Sequence, residues 1–573
     1  MAAQSARNRV IPGFGLSMGI TVSMLSLLIL LPLLSVLGYS LQLSPKEFID
    51  VITVRTTMNA FKTSIGCAAV AAFINLIFGT LLAWVLCRYH FPGRKLLDGL
   101  IELPFALPTA VAGITLTKMY ADTGEIGSIL ARFGIHVAYT HLGIVIALVF
   151  VGIPFVVRSV QPVLEDIDVN LEEAAHMLGA SHARIFFSVV VPELLPAMLA
   201  GFGLALARGI GEYGSVIYIS GNSAREGTQV VSYLIMQKLN SGGADYSSAA
   251  SIALCLLVIS FVLLLLIGTV QTWASKRTGT AHIPQSHAHR SVTQMSPAAK
   301  RTLIGFAVAF ALLMLVAPLI SVLAKSLGEG IIFYLQAIST KYALAALRVT
   351  LLAAAITIIV NTFFGLFASW LLTRFTFPGK KVLSTLIDVP FSISPVIAGL
   401  AFIMTFGRMG WARPALDAFN SLTGADISVV FSIPGVVLAT IFVTFPFVSR
   451  ELIPVMNSQG SEEEEAAALM GAKGWRIFRE ITFPKIKWAL LYGITLCAAR
   501  AIGEFGAVSA LSKTRGQTFT LPLEVDALYN AGSADSLTAA FAVSSILVLV
   551  AIGMLLVRNL TERLAGKQDS TQK

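Results

Sequence analysis

The stretch LEEAAHMLGASHARIFFSVVVP at residues 171–192 decides the architecture, because it recurs as EEEAAALMGAKGWRIFREITFP at residues 463–484. Glu173 of the first copy corresponds to Glu465 of the second, and the same offset of 292 positions holds to the end of both stretches. A constant offset of this kind indicates an internal duplication. Both copies are polar and amphipathic and stand between long apolar runs. This predicts that they lie in aqueous loops of a membrane protein and contact something outside the membrane.

The composition is that of a helical membrane protein with many spans. Of the 573 residues, 56% are hydrophobic and only 13% are charged, and the mean hydropathy is +0.80, which excludes an ordinary soluble protein. The net charge of +10 resides in short loops, so we attribute it to orientation in the membrane and not to nucleic-acid binding. The four cysteines are far apart without zinc or redox spacing, and we interpret them as small core residues: Cys67, Cys87, Cys255 and Cys497.

Apolar runs near the length of a bilayer span occur six times in each half of the chain. The first run has no cleavage-site pattern after it, so we expect a span of the mature protein and not a signal peptide. The predicted fold is therefore an all-α polytopic membrane protein of about 12 transmembrane helices. The runs are 16–41, 61–87, 101–118, 141–157, 194–218, 249–273, 303–324, 345–372, 387–406, 429–448, 488–511 and 537–557.

Lysine and arginine indicate the orientation. If both termini are cytoplasmic, the inner segments carry 25 of the 41 basic residues and the outer loops carry 12. Such a bias is the pattern of cytoplasmic loops. It predicts that both termini and both copies of the repeated loop lie in the cytoplasm.

Further matches extend the duplication over most of the chain. The triplet FPG at 91–93 recurs at 377–379, and RGIGEYG at 208–214 recurs as RAIGEFG at 500–506. Each copy holds an even number of spans, so the repeat is parallel, and the chain is a pseudo-dimer with a pathway expected along its axis. We divide it into a first six-helix repeat at 1–274 (core about 57–273), a linker at 275–300, and a second repeat at 301–573 (core about 343–558).

The linker is polar and carries three histidines that could suggest a metal site. No cysteine or carboxylate accompanies them, so a solvated linker is the better interpretation, and no metal ligand is assigned. The three residues are His282, His287 and His289.

The repeated loop has the features of a short helix, a turn and a second helix. Glutamates at its start suit the positive end of a helix, and Gly179 and Gly471 permit a sharp reversal. Small residues would allow a partner to approach closely. A solvated connection is the alternative, but it does not account for the near-identical recurrence.

In both copies Glu-Ala-Ala is followed by glycine six residues after the glutamate and by proline thirteen residues after that glycine. This pattern resembles the EAA loop of importer permeases of ATP-binding-cassette transporters. In that family the loop is a coupling helix seated in a groove of the ATPase subunit. The resemblance implies this role for Glu173, Ala174, Ala175, Gly179, Glu465, Ala466, Ala467 and Gly471.

Two loops imply two copies of a cytoplasmic ATPase. The chain contains no G-x-x-x-x-G-K-[ST] motif, so we expect a permease and not an enzyme. ATP and magnesium would bind the partner ATPase, and no cofactor is assigned to this chain.

The match extends further along each half. The segments GIPFVVRSVQPVLEDI at 152–167 and GIGEYGSVIYISGN at 209–222 resemble the T-type permease of bacterial sulfate/thiosulfate importers. The segments FVTFPFVSRELIPVM at 442–456 and TFTLPLEVDALYN at 518–530 resemble its W-type partner. The departure is the fusion, because these permeases are usually separate chains. The resemblance implies the type I importer fold, the bacterial inner membrane, contact with lipid and a periplasmic or extracellular sulfate-binding protein.

Charged residues inside the fifth span of each half are the candidate anion pathway. Arg208 and Glu212 are four residues apart and share a helical face, and Arg500 and Glu504 repeat them. One interpretation is an internal ion pair that fixes helices. The other is a transient positive patch for a passing oxyanion, partly neutralised so that the anion is not retained.

Prolines and acids in the third span are equivalent in the two halves. The prolines could shape a gate, although a structural kink is the simpler account. Glu102 and Asp388 precede them, and we assign these acids to a cytoplasmic interface. The prolines are Pro104, Pro108, Pro390 and Pro395.

Sulfate would enter a cell that is negative inside at a cost of about 4.6 kcal/mol per 100 mV for its two charges, so uphill import needs an energy source. Alternatives remain open. Molybdate and ferric-iron permeases share parts of the pattern, and an ATP-independent secondary transporter or channel is a different class. A membrane-embedded enzyme would need a cluster of catalytic residues that the spans lack.

Overall fold

The computed structural model describes residues 11–240, 245–278 and 297–571, and all regular secondary structure in these ranges is helical. The prediction of an all-α membrane protein is confirmed. In the first half the helices are α1 Phe14–Ser40, α2 Pro45–Thr53, α3 Arg55–Arg88, α4 Arg94–Ala106, α5 Thr109–Tyr120, α6 Gly127–Ala131, α7 His141–Asp166, α8 Val169–Met177, α9 His182–Ile210, α10 Val216–Ile219, α11 Val231–Asn240 and α12 Tyr246–Thr278.

The second half repeats this order. Its helices are α13 Ala298–Ser326, α14 Gly330–Ile338, α15 Lys341–Arg374, α16 Lys380–Ser392, α17 Pro395–Phe406, α18 Arg413–Thr423, α19 Ile433–Gln459, α20 Glu462–Leu469, α21 Gly474–Ile477, α22 Phe483–Ile502, α23 Gly506–Leu511, α24 Leu521–Asn530 and α25 Ala534–Thr571.

Nine helices of the described chain are long and apolar enough to cross a membrane, and the pairs α4–α5 and α16–α17 bring the number to 11 if each pair is one span. The helix α22 is the repeat equivalent of α9 and carries Lys485, Lys487 and Arg500. Counting α22 as a span gives the predicted number of twelve.

The third span of each half is broken by a sharp bend, where the sequence predicted one span with a proline kink. Leu107 and Ser394, each followed by proline, have extended backbones with ψ near 129°, because proline disfavours the helical conformation of the residue before it. The two parts of the span then bend by 106° in the first half and by 105° in the second. The fifth span is also shorter than predicted: α9 ends at Ile210 and not near residue 218.

Small residues let the central helices of each half approach closely. A Cβ atom on Gly79 of α3 would lie 2.8 Å from the Cβ of Val156 on α7, and one on Gly365 of α15 would lie 2.7 Å from the Cβ of Val448 on α19. Glycine at such crossings permits backbone contact between membrane helices. The same contact at equivalent positions gives both halves the same core.

The first helix of each half packs on the other half. Ser35 of α1 bonds to Thr405 of α17 at 2.8 Å and accepts a hydrogen bond from the indole of Trp411 at 2.7 Å. In return, Phe310 of α13 stacks on Phe78 of α3 with ring centroids 4.2 Å apart. This exchange joins the two repeats into one bundle.

Candidate functional site

A cavity lies between the halves, on the pseudo-twofold axis. Its lining consists entirely of residues that the repeat pairs with one another, so each half contributes seven equivalent positions. The pairs are Pro104 and Pro390, Phe105 and Phe391, Leu107 and Ile393, Thr109 and Pro395, Val151 and Val443, Phe155 and Phe447, and Arg208 and Arg500. The sequence brought Arg208 and Arg500 forward as candidates, and the structure brings them together at this cavity.

The geometry of the first pair follows from the end of α9. The helix stops at Ile210, and the chain turns so that Glu212 Oε1 accepts hydrogen bonds from the backbone N–H and the hydroxyl of Ser215, both at 3.1 Å. The other oxygen of Glu212 lies 2.7 Å from Arg208 Nη2. One carboxylate thus fixes both the turn before α10 and the arginine.

The second pair repeats this arrangement. Glu504 Oε1 accepts from the backbone N–H of Ala507 at 2.9 Å, and its other oxygen lies 2.6 Å from Arg500 Nη2. Both glutamate side chains are 1% exposed, whereas the arginines are 12% and 11% exposed. The carboxylates are therefore locked into the wall and the guanidinium groups reach the cavity.

This arrangement leaves cationic character at the cavity surface. Each glutamate shares its negative charge between an arginine and the positive N-terminus of the following helix. A guanidinium has five N–H donors, of which the ion pair uses only part. The two groups can therefore donate hydrogen bonds to an anion between them.

Glycines of the repeated RGIGEYG and RAIGEFG segments pack the axis tightly. A Cβ atom on Gly211 would lie 3.0 Å from Cα of Ser394, and one on Gly503 would lie 3.3 Å from Cα of Pro108, each in the opposite half. Gly214 approaches Thr109 so closely that a Cβ would lie 2.1 Å from its hydroxyl oxygen. The glycines thus allow the ends of α9 and α22 to contact the broken third spans.

Beyond the arginines, two aromatic rings block the path along the pseudo-twofold axis. Tyr213 and Phe505 stack with ring centroids 5.9 Å apart and planes 10° from parallel. Because α9 and α22 run from the repeated loops toward the arginines and then to these rings, the stack lies on the side away from α8 and α20. The cavity is thus covered on that side.

Polar contacts between the halves reinforce this closure. Tyr218 donates a hydrogen bond of 2.7 Å to Asp526 of α24, and the hydroxyl groups of Ser232 and Ser394 lie 3.1 Å apart. Burial raises the pKa of Asp526, although Tyr218 and Asn530 both donate to its carboxylate. The closure therefore includes a carboxyl group that is costly to keep charged.

The repeated loops form α8 and α20 as predicted helices followed by tight turns. Gly179 and Gly471 have φ of 83° and 86°, in the left-handed region that favours glycine. Ala174 and Ala466 are exposed, and Ala175 and Ala467 are half-buried.

The glutamates at the start of the repeated motif have different surroundings. Glu465 accepts a hydrogen bond from Ser461 at 2.6 Å, and Glu173 is half-buried.

The glutamates that anchor these helices are not the ones that the motif suggested. Glu172 lies 2.7 Å from Arg88 at the end of α3, and Glu464 pairs with Arg374 at the end of α15. Burial raises the pKa of Glu172, and the Arg88 guanidinium opposes this effect. The sequence does contain a signal for this pairing: both the glutamates and the arginines recur at equivalent positions of the repeat.

Uncovered apolar side chains mark the tips of both loops. Met177 and Leu178 are 87% and 88% exposed, and their equivalents Leu469 and Met470 are 78% and 89% exposed. Contiguous apolar exposure of this kind marks an interaction surface. The tips are thus suited to a partner outside the membrane.

Glu102 and Asp388 both pair with arginines of the fourth span. Glu102 lies 2.7 Å from Arg158 and accepts from Tyr492 of the other half at 3.0 Å, and Asp388 accepts from Arg450 at 2.9 Å. Tyr492 thus links Glu102 of the first half to the second half.

No group of three metal-ligating side chains occurs within the described residues. The cysteines are free, and His282, His287 and His289 lie outside the described residues.

The chain matches the family model of binding-protein-dependent transport system inner membrane components twice, at residues 75–279 and 361–566. It is 47% identical over 277 residues to the sulfate transport system permease protein CysT of Salmonella typhimurium, which covers 48% of this chain and 99% of the relative. It is 44% identical over 276 residues to the sulfate transport system permease protein CysW of Escherichia coli, covering 47% of this chain and 91% of the relative. The chain is also 43% identical over 271 residues to sulfate permease 2, chloroplastic, of Chlamydomonas reinhardtii. That match covers 47% of this chain and 71% of the relative.

Proposed function

This chain belongs to the family of binding-protein-dependent transport system inner membrane components, and we propose that it forms the anion pathway of an ATP-driven importer of sulfate and thiosulfate. Like its relatives, the chain is a permease and not an enzyme. Its two repeats would supply in one polypeptide what two permease subunits supply elsewhere.

The names of the relatives support the substrate. Both the CysT and the CysW proteins are sulfate transport permeases, and each matches about half of this chain. A cavity with two guanidinium groups suits a divalent oxyanion and disfavours a ferric cation. Sulfate and thiosulfate are therefore the substrates that we assign.

Weak retention follows from the paired charges at the cavity. A free arginine in a low-dielectric site would hold an anion strongly, since Coulomb energies rise as the dielectric constant falls. Glu212 and Glu504 reduce that attraction, although they do not line the cavity themselves. The anion can thus pass between Arg208 and Arg500 and leave again.

Two ATPase subunits, which bind ATP and magnesium, would dock on the tips of α8 and α20. Apolar exposure at Met177, Leu178, Leu469 and Met470 supports this contact. The ion pairs of Arg88 with Glu172 and of Arg374 with Glu464 connect each docking helix to a long span. Movement of the ATPases would therefore tilt α3 and α15 and open the aromatic closure on the far side.

The permease would lie in the bacterial inner membrane with both termini in the cytoplasm. The distribution of lysine and arginine supports this orientation. The binding protein would then deliver the anion at the face that Tyr213 and Phe505 close.

The observation that carries the proposal is the meeting of Arg208 and Arg500 at one cavity on the repeat axis. The test is uptake of radiolabelled sulfate by liposomes containing this chain, its ATPase and its binding protein. We expect uptake to require ATP and to be blocked by excess thiosulfate, but not by molybdate or ferric citrate.

Each other result of this assay has a defined meaning. If molybdate or ferric citrate blocks ATP-dependent uptake, the conclusion that the chain is an importer permease stands, but the assignment of its substrate changes. Uptake without ATP would contradict the proposed coupling and favour a secondary transporter.

A further inference from the structure

The turn between α3 and α4 places a short helix across the end of the bundle. The turn is made at Gly93, whose φ is 86°, and α4 then leads into α5 at an angle of 106°. The 106° bend means that α4 lies close to the membrane plane where α5 runs along the membrane normal, so α4 is the surface part of this broken span. The equivalent turn at Gly379, with φ of 87°, gives α16 the same course.

The exposed residues of these helices are both basic and apolar. Leu96 is 64% exposed beside exposed Lys95, and its equivalent Val382 is 63% exposed beside exposed Lys381. A helix in the plane of a membrane surface buries apolar side chains among acyl chains, while its lysines reach the phosphates. The two turns therefore have the composition of lipid-contacting segments.

The first turn has additional positive charge, which the exchanged helix supplies. Lys300 of α13 places its ammonium group 5.5 Å from the ring centroid of Tyr89, directly after α3. Phe14 is the repeat equivalent of Lys300, and it packs on Phe375 and Phe377 with centroids 5.3 Å and 5.9 Å away. The second turn thus has an aromatic cluster where the first has a cation.

The nearest acid along α4 is already paired with another arginine. Asp98, one turn after Arg94, is engaged by Arg158 at 2.9 Å. Within the described residues, Arg94 and Lys95 form no ion pair with another side chain. The first turn therefore carries Arg94 and Lys95 next to an exposed leucine, and Lys300 lies against Tyr89 at the start of the same turn.

We propose that this turn binds the phosphate headgroup of an anionic phospholipid. Arg94, Lys95 and Lys300 would donate hydrogen bonds to the phosphate oxygens, and Leu96 would lie among the acyl chains. A lipid is the occupant because the exposed apolar side chain belongs to a helix that enters the membrane directly. The second turn would bind the same lipid more weakly, since within the described residues Phe14 stands where the first turn has Lys300.

The test is native mass spectrometry of the full chain titrated with phosphatidylglycerol in detergent micelles. Each basic residue near anionic headgroups contributes about 1 kcal/mol, which is about a fivefold change in affinity. We expect Arg94→Gln/Lys95→Gln/Lys300→Gln to weaken the most tightly bound lipid by on the order of 100-fold. Lys300→Gln alone, at a surface position, should weaken it by about fivefold.

Matched variants separate this site from general attraction to a basic surface. Lys380→Gln/Lys381→Gln at the second turn should leave the tightest lipid within about twofold of wild type, and Arg94→Lys/Lys95→Arg/Lys300→Arg should retain it. The proposal is overturned if the triple glutamine variant binds like wild type, or if the second-turn variant loses as much. Equal binding of phosphatidylcholine, or displacement of the lipid by inorganic phosphate, would also overturn it.

Discussion

Tyr213 and Phe505, at equivalent positions of the two repeats, stack across the pseudo-twofold axis with ring centroids 5.9 Å apart and planes 10° from parallel. They lie beyond the arginine pair, on the side away from α8 and α20. Both rings are almost fully buried, although they come from different halves. Opening of this side must separate them.

Removal of one ring should therefore loosen the closure. An aromatic pair contributes about 0.5–1.5 kcal/mol beyond the area that it buries. We expect Phe505→Ala to allow sulfate to leak through the permease without ATP, measured as loss of radiolabel from preloaded liposomes. Tyr213→Phe, which keeps the stack, should remain as tight as wild type, and an equal leak in both variants would contradict this role.

Neutralisation of the arginines should reduce transport while leaving the fold intact. Arg208→Gln alone would leave the buried Glu212 without a positive charge to pair with, at a cost of about 3–5 kcal/mol. The informative variant is therefore Arg208→Gln/Glu212→Gln, which removes both charges. We expect at least a tenfold loss of ATP-dependent sulfate uptake with normal membrane insertion, since only the donor to the anion is lost.

The second repeat supplies the matching control. Arg500→Gln/Glu504→Gln should reduce uptake to a similar extent, because Arg500 faces the same cavity. If all four substitutions together left uptake unchanged at equal protein level, the ion pairs would have a structural role and no role in conducting the anion.

The sequence predicted the features that depend on local spacing. The offset of four between Arg208 and Glu212 made an ion pair one of two interpretations, and the structure forms the pair although α9 ends at Ile210, before Glu212. For the third span the sequence predicted a proline kink but not the sharp break after Leu107, since the apolar run continues through it without a change in composition. There the extended conformation before Pro108 and the packing of Gly503 on that proline decide the course of the chain.

Contacts between distant residues were beyond local reasoning. Arg88 and Glu172 are 84 residues apart, and Glu172 directly precedes the Glu-Ala-Ala motif without being part of it. The exchange of α1 and α13 between the halves likewise has no local signature. Such contacts depend on how helices cross, and a single sequence does not specify that directly.

The two anchors of the docking helices should differ in their contribution to stability. Arg374 is 3% exposed and also donates to the carbonyl of Met456 at 2.8 Å, whereas Arg88 is 13% exposed. Loss of one partner of a buried pair costs about 3–5 kcal/mol. We expect Arg374→Gln to lower the thermal unfolding midpoint clearly more than Arg88→Gln, and equal shifts would show that burial does not govern these links.

The turns at the loop tips can be tested through backbone conformation alone. Open space surrounds Gly179 and Gly471, so a methyl group there meets no neighbour, but their φ values of 83° and 86° are strained for alanine by about 1–2 kcal/mol. Gly179→Ala/Gly471→Ala should reduce capture of the ATPase by the purified permease several-fold. Asparagine tolerates this conformation, so Gly179→Asn/Gly471→Asn should retain capture, and identical losses would point to the side chains instead.

The half-buried carboxyl group of Asp526 should make the closure depend on pH. Burial raises its pKa in the closed form, where Tyr218 and Asn530 donate to it and Tyr529 packs on Tyr218. A carboxyl group with a raised pKa binds its proton more tightly in the closed form than in an open form that water reaches. Protonation therefore favours closure, and this contribution is lost as the pH rises above the raised pKa.

The variant Asp526→Asn separates the hydrogen bond from the charge. Its amide oxygen can still accept from Tyr218, but there is no charge to desolvate. We expect a higher unfolding midpoint than wild type near neutral pH, with the difference shrinking as the pH falls. Asp417→Asn, in an exposed ion pair with Arg413, should change the midpoint little. A destabilised Asp526→Asn would mean that the carboxylate charge itself holds the halves together, because the neutral acceptor would then have failed to replace it.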